Sequence, residues 1–446
     1  MSVIAQPGTA KRSGRTRTAR KSKGVAVALF FIVTLLIPIE WSIGPLHLPP
    51  YRMVLLVLTL PCIALLFSGT KGRVRTVDVL LLLHGLWVCL ALMAVHGVSK
   101  GVEAGGIYFV QAYGSYAIAR CFIRTPEDFR RVFRFLLIVV AMTIPFALYE
   151  SVTGKHLILD TLRQFVPVFT PALKDQRMGL YRAVVVFEHQ ILYGVFCASI
   201  LGIVFFIARG GKRLTRAAIP IAATFFSLSS GPIVAVFCQV AIIAWHYLTR
   251  RIAMRWWLLS GVVAFMYIAV DILSNRTPVQ VFISYLTLNP RSAWNRIHIW
   301  NFGTEEIARH PIFGIGQNEW INAPWMSQSM DNFWLFVAVR YGLPGFILLV
   351  LAFAALFIPL MRLKPVDRLI GDYRLGWIIS MIGLIIAGGT VHYWKNIFCL
   401  MMLIFGSAVW MLDYRPERRP EEKNPATPHA VDTGGSMTPG RRRRRP

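Results

Sequence analysis

The sequence predicts an all-α polytopic membrane protein, and three observations predict it. Of 446 residues, 55% are hydrophobic and only 15% charged, against about 25% charged in an ordinary soluble domain; the mean hydropathy is +0.55. Apolar runs near bilayer-spanning length recur along the chain. Basic residues collect in alternate connections, as the positive-inside rule requires of cytoplasmic loops. That distribution also removes nucleic acid as the reason for the net charge of +27, because much of the charge lies in two tails and in short loops between spans.

Residues 1–23 hold seven Lys/Arg and no acid and read as a basic cytoplasmic tail. A transmembrane domain follows over 24–412. Spans are expected near 25–39, 53–68, 77–96, 104–121, 133–149, 187–208, 217–230, 233–248, 256–273, 343–361, 375–392 and 397–412, about twelve in all. The first has the length of a signal-peptide core, but Glu40-Trp41 follows it without a small-x-small cleavage site, so it is kept as a span. The loops KGRVR (71–75), RTPEDFRRVFR (124–134), RGGKRLTR (209–216), TRRIAMR (249–255) and MRLKPVDR (361–368) are basic and belong inside. Residues 413–446 are rich in Pro, Glu and Arg and read as a disordered basic tail. An even number of spans places both termini in the cytoplasm. The six cysteines lie in or beside apolar runs with no C-x-x-C pair, so they read as small buried hydrophobes and indicate neither a disulfide framework nor a metal site.

Two longer segments then face outward, 150–186 and 273–332. In the second, Ser292 to Arg309 has a helical pattern, with Pro290 before it and His310-Pro311 to end it. Phe313-Gly314-Ile315-Gly316 reads as a tight turn. Asp331 to Tyr341 reads as a short helix at the membrane surface, broken by Gly342-Leu343-Pro344-Gly345 before the next span.

This layout restricts the chemistry. No cytoplasmic loop is long enough for a domain, and there is no P-loop, strand-linked G-x-G-x-x-G or H-E-x-x-H. An enzyme whose polar parts face a compartment without nucleotides needs an activated substrate from the membrane, and a lipid-linked diphosphate is the obvious candidate. Arginine suits such a group, since its planar fork binds phosphate oxygens in pairs and stays charged. Arg182 lies just before a span, with Glu188 and His189 about two turns on; a snorkelling arginine and a buried, satisfied histidine are the structural alternative. Arg296 and Trp300 share a helix face, fit to clamp a phosphate and stack a sugar, or to pack the loop as a cation–π pair. Gly314 and Gly316 serve a turn that passes close under the loop, and with Trp300, Asn332 and His189 they are the expected substrate-binding residues. Asp331 and Asn332 open the surface helix, so Asp331 is either a helix cap or a carboxylate that takes a proton from an attacking hydroxyl. Arg340 reads as an interfacial anchor, and His392 and Lys395 border the last outer connection.

In order and spacing, Arg296-x-x-x-Trp300, His310-Pro311-Ile312-Phe313-Gly314-Ile315-Gly316, Asp331-Asn332-Phe333-Trp334-Leu335 and Tyr341-Gly342-x-x-Gly345 resemble the shared core of the O-antigen ligase and polymerase superfamily. Upstream, Arg182 and Phe187-Glu188-His189 resemble that family's first outer-loop arginine and the start of its next span. Ser227-Leu228-Ser229-Ser230-Gly231 is similar to its Ser-Arg-Gly turn, with Ser230 where arginine is usual. The resemblance implies about twelve helices with a large outward loop, similar to GT-C glycosyltransferases, in the bacterial inner membrane. It implies transfer of a glycan from an undecaprenyl-diphosphate carrier to a hydroxyl at the periplasmic face, with no metal or nucleotide cofactor. It carries the diphosphate-binding arginines onto Arg182 and Arg296. The histidine proposed as base in the ligases falls on Asp331, which favours an exopolysaccharide or O-antigen polymerase over a ligase acting on lipid A-core. Expected partners are the lipid-linked oligosaccharide, a growing polysaccharide or lipid acceptor, and a chain-length regulator and flippase. A transporter or flippase of lipid-linked sugars is the alternative of another class, with Gly388-Gly389, Gln111 and Gln239 as its foothold; a docking partner in an assembly complex is a third.

Overall fold

The computed structural model describes residues 24–43, 46–172, 174–275, 277–278, 281, 290–365 and 367–415. The expected basic tails lie outside these, apart from 413–415, as does most of 276–289 in the second outer segment. Nine helices among the described residues are long and apolar enough to cross a membrane, from Pro50–Phe67 to Lys395–Leu412, and each coincides with an expected span. The other three expected spans are shorter or irregular. Val25–Leu35 has eleven residues and Lys212–Phe226 has fifteen. Residues 98–122 run as α-helix, a π-helical turn at Val110–Gly114, and α-helix again. The chain is an all-α multi-pass membrane protein.

The helix starts follow local chemistry. Thr125 accepts the Asp128 N–H at 3.1 Å ahead of Pro126, and Asp367 accepts the Ile370 N–H at 2.8 Å. In lipid the helices have no hydrophobic drive toward one another, so close packing and hydrogen bonds hold the bundle. Gly202 and Gly376 show this: a Cβ on Gly202 would stand 2.8 Å from the Gly376 carbonyl oxygen, so the two backbones touch directly. At the end of the bundle bearing loop 71–75, buried Asp78 accepts the Arg75 N–H at 2.7 Å and pairs with Arg120 at 3.4 Å. Arg120 donates to the carbonyls of Arg73 (2.9 Å) and Lys71 (3.3 Å). This basic loop is therefore folded over an ion pair.

Two spans are interrupted. The span Gln190–Ile207 breaks between Gln190–Ala198 and Leu201–Ile207. Backbone groups freed by such a break have no water to turn to. Gln239, fully buried on Ser230–Leu248, accepts the Gly202 N–H at 3.0 Å and donates to the Ala198 carbonyl at 2.9 Å, and Ser380 Oγ accepts the Ile203 N–H at 3.1 Å. Gln239 thus closes the break, and the foothold it offered a transporter is taken up by backbone.

The second interruption lies in Phe333–Arg362, where Gly342 is non-helical (φ 73°, ψ 172°). The expected surface helix 331–341 is present as the part before this kink, starting at Phe333. Segment 311–316 seats on the kink: Leu343 N–H donates to Pro311 O (2.8 Å), Ile315 N–H to Val339 O (2.9 Å) and Gly316 N–H to Arg340 O (3.0 Å). The helix Pro290–Arg309 begins at Pro290 itself, one of the few interior-free positions where proline suits a helix. It rests on the first part of the kinked span through Ile299, Leu335 and Val339, with Ile315 and Trp320. In contrast, the span Arg255–Leu273 buries none of its residues.

Both interruptions give tests by thermal unfolding in detergent. Gln239→Leu leaves an N–H and a C=O unpaired and is expected to cost about 2–4 kcal/mol. Gly342→Ala would place a Cβ 1.9 Å from the Ile312 carbonyl oxygen and is expected to cost about 2 kcal/mol or more.

Candidate functional site

Between the spans Pro126–Thr153 and Gln190–Ile207 the chain returns on itself. Glu150, buried, accepts the N–H groups of Val184 (2.9 Å) and Val185 (3.0 Å), and His156 Nδ1 lies 3.5 Å from the same oxygen. A two-stranded ribbon, Gln176–Arg177 against Leu180–Tyr181, turns at Met178-Gly179. It delivers two arginines to the turn 227–230. Arg182 Nε donates to Ser227 O (3.2 Å), its Nη2 to Ser229 Oγ (2.6 Å) and its Nη1 to Asp175 Oδ2 (3.1 Å). Arg177 Nη1 donates to Leu228 O (3.1 Å), and its Nε lies 3.6 Å from Asp175. Burial, then the nearby Arg177, lowers the Arg182 pKa to about 10, opposed by Asp175, so it remains a cation at neutral pH.

Arg296 comes from the opposite side, on Pro290–Arg309. It is buried, 7% exposed, yet its Nε and Nη1 have no hydrogen-bond partner among the described residues. Burial lowers its pKa; Asp331 opposes that shift and Arg177 adds to it. A buried cation with unpaired donors is costly unless an anion completes it. Trp300, half-buried, follows one turn later on the same helix.

The sequence left Asp331 open between capping the helix and taking a proton, and the geometry gives the capping to its neighbour. The cap is Asn332: its Oδ1 accepts the Leu335 N–H at 3.0 Å. Asp331 accepts Ser329 Oγ–H at 3.0 Å, and its charge reaches both Arg296 and His189. His189 also caps a helix, its Nδ1 accepting the Ile191 N–H at 3.1 Å. Burial, then Arg182, pushes its pKa down to about 4, against the pull of Asp331. Its imidazole is therefore neutral and offers Nε2–H as a donor. Arg182, Arg296, His189 and Asp331 are thus linked electrostatically, each to two of the others. Gly314 and Gly316 are not part of that set of contacts. Both have positive φ, 68° and 60°, and their neighbours are the Val339 and Arg340 carbonyls and the His96 ring. Arg340 donates to the Gly316 carbonyl at 2.9 Å. Lys395 pairs with Glu188 and, at 3.0 Å, with Glu40. His392 lies against Phe336, ring centroids 3.9 Å apart, and burial pushes its pKa down to about 3.

Among the described residues, four non-glycine positions have left-handed backbone, Met178, Val185, Leu228 and Lys395. All four lie on the segments just described, and strain of this kind persists where surrounding structure holds it, characteristically at functional sites. Sequence reasoning missed Arg177, Asp175, Glu150 and the part played by Ser229. The available signal was Arg177-Met178-Gly179, a basic residue followed by a turn glycine five positions before Arg182.

The fold and these groups define a multi-pass membrane protein with a polar site built on basic side chains. Residues 215–350 match the family model for O-antigen ligase, and the chain is O-antigen ligase-like. The matched region contains Ser229, Arg296 and Asp331, with Arg182 upstream of it. No curated protein matches the chain.

Two measurements check the assignments. Asn332→Ala is expected to lose about 1 kcal/mol in thermal unfolding while Asp331→Ala leaves the helix start in place; the reverse order would assign the cap to Asp331. Because the His189 pKa is about 4 in the folded chain and about 6.5 when unfolded, the unfolded state takes up the proton first. Stability is then lost as pH falls from about 6.5 to about 4 and levels off below. His189→Asn, which keeps a capping acceptor, is expected to shallow that slope.

Proposed function

We propose that this protein transfers a glycan from an undecaprenyl-diphosphate-linked donor to a sugar hydroxyl at the periplasmic face of the inner membrane, polymerising exopolysaccharide or O-antigen repeat units. The observation that carries this reading is Arg296, a buried guanidinium with unpartnered donors, within electrostatic reach of Arg182 and Arg177. The O-antigen ligase match over the region that includes it supports the same class of chemistry.

In the proposed step the acceptor oxygen attacks the anomeric carbon, and the bond from that carbon to the diphosphate oxygen breaks with inversion. The departing diphosphate keeps the electron pair, and the hydroxyl proton passes to Asp331 and then to solvent. Negative charge grows on the leaving oxygen. Donors already held in place by Ser227, Leu228 and Ser229 stabilise it without reorganising. Asp331, relieved of capping by Asn332, is available as the proton acceptor, and it assists late in bond formation because a carboxylate is a weak base. Trp300 offers an apolar ring face beside Arg296 for a sugar.

Extension of a lipid-linked oligosaccharide by purified protein tests this. Arg182→Ala and Arg296→Ala are each expected to lose about 100-fold or more in rate, Arg296→Lys to recover only part of it because the fork is gone, and Asp331→Asn to lose about 100-fold or more with donor binding retained. Full activity in either alanine variant sinks the proposal. A ladder of products supports polymerisation, whereas one transfer to a lipid A-core acceptor would support a ligase.

A further inference from the structure

Taking the arginine cluster as the diphosphate site, as proposed above, leaves Asp175 without a role. Its carboxylate is half exposed, 49%, whereas the side chains of Arg182 and Arg177 are only 6% and 19% exposed. One oxygen, Oδ2, lies 3.1 Å from Arg182 Nη1 and 3.6 Å from Arg177 Nε. The ribbon does not need this carboxylate. It is closed by the Arg182 N–H donating to the Asp175 carbonyl at 3.2 Å and by the pairing of Gln176 with Tyr181 and Arg177 with Leu180. The arginines are separately fixed by Ser227, Leu228 and Ser229. Asp175 therefore places one negative charge on the open side of two cations, where an incoming anion has to go.

We infer that Asp175 determines specificity by setting a charge threshold: it admits a doubly charged lipid diphosphate and turns away singly charged phospholipid headgroups. A headgroup phosphodiester that replaces the carboxylate exchanges one negative charge for one, and gives up a partner already tethered beside the arginines. A sugar-linked lipid diphosphate carries two charges. One neutralises what Asp175 neutralised, and the second is free to meet Arg296, whose Nε and Nη1 lack partners among the described residues. Bare arginines at a membrane surface attract every anionic lipid there, and discrimination against an abundant competitor calls for an element that disfavours it.

The test uses the full-length protein in nanodiscs, with a geranyl-diphosphate-linked sugar as the doubly charged probe and phosphatidylglycerol as the singly charged competitor. Wild-type binding is expected to change less than about twofold when phosphatidylglycerol is added to a zwitterionic disc. Asp175→Asn is expected to bind the probe more tightly in the zwitterionic disc and to lose about tenfold on adding phosphatidylglycerol. Asp175→Glu is expected to follow wild type. Equal sensitivity to phosphatidylglycerol in wild type and Asp175→Asn overturns the inference while leaving the diphosphate site intact. A probe that binds Arg182→Ala and Arg296→Ala as well as wild type, or does not bind wild type, overturns the site itself and the inference with it.

Discussion

A helix interrupted inside an apolar bundle exposes backbone N–H and C=O groups that only protein can satisfy. Two such interruptions fix where much of this molecule lies. At 199–200 the break is closed from two other helices by Gln239 and Ser380. This binds Gln190–Ile207 to Ser230–Leu248 and Arg368–Gly388, and so settles where His189 and the turn 227–230 stand relative to each other. At Gly342 the kink is closed by segment 311–316, which holds the loop helix and its Arg296 against the same span that begins at Phe333, two residues after Asp331. The polar site lies between two repairs of backbone, and its precision comes from them.

The arginines differ in how their charge is held. Arg182 and Arg177 donate to main-chain carbonyls and a serine hydroxyl, groups that orient a guanidinium without cancelling its charge, and they share the single carboxylate of Asp175. Arg296 has the neighbouring charge of Asp331 but no completed set of hydrogen bonds. The first two are positioned in advance, and the third has the most to gain from an anion. A preorganised pair facing an unfinished third group is suited to charge that develops during a reaction, because little has to move when it appears.

Much of the fold was legible because it rests on composition. Apolar runs and alternate basic loops identify spans whatever their tertiary packing, and Gly314, Gly316 and Gly342 announced turns that the positive φ values bear out. Arg182 stood out as an arginine just before a span, and Arg296 as an arginine one turn from Trp300 on a loop helix. Three things were hidden, each for a physical reason. Two-residue strands have no periodicity, so only the turn glycine after Arg177 hinted at the ribbon, and nothing marked Asp175 as a partner of Arg182. Asp331 and Asn332 are adjacent and equally good caps, and only geometry decides between them. The break at Ser199-Ile200 falls in an unbroken apolar run without proline or a glycine at the break, since its cause is a glutamine far along the chain.

The order in which the site's parts appear has a consequence for biogenesis. Asp175, Arg177 and Arg182 belong to one ribbon and are synthesised together, so these cations emerge with a counter-charge already beside them. The turn that orients them arrives after two more helices, and Arg296 only after a further pair. Until then a half-inserted chain displays a hairpin whose two arginines share one counter-charge. A membrane protein whose charges emerge in that sequence does not present its paired arginines without their carboxylate before the rest of it has been made.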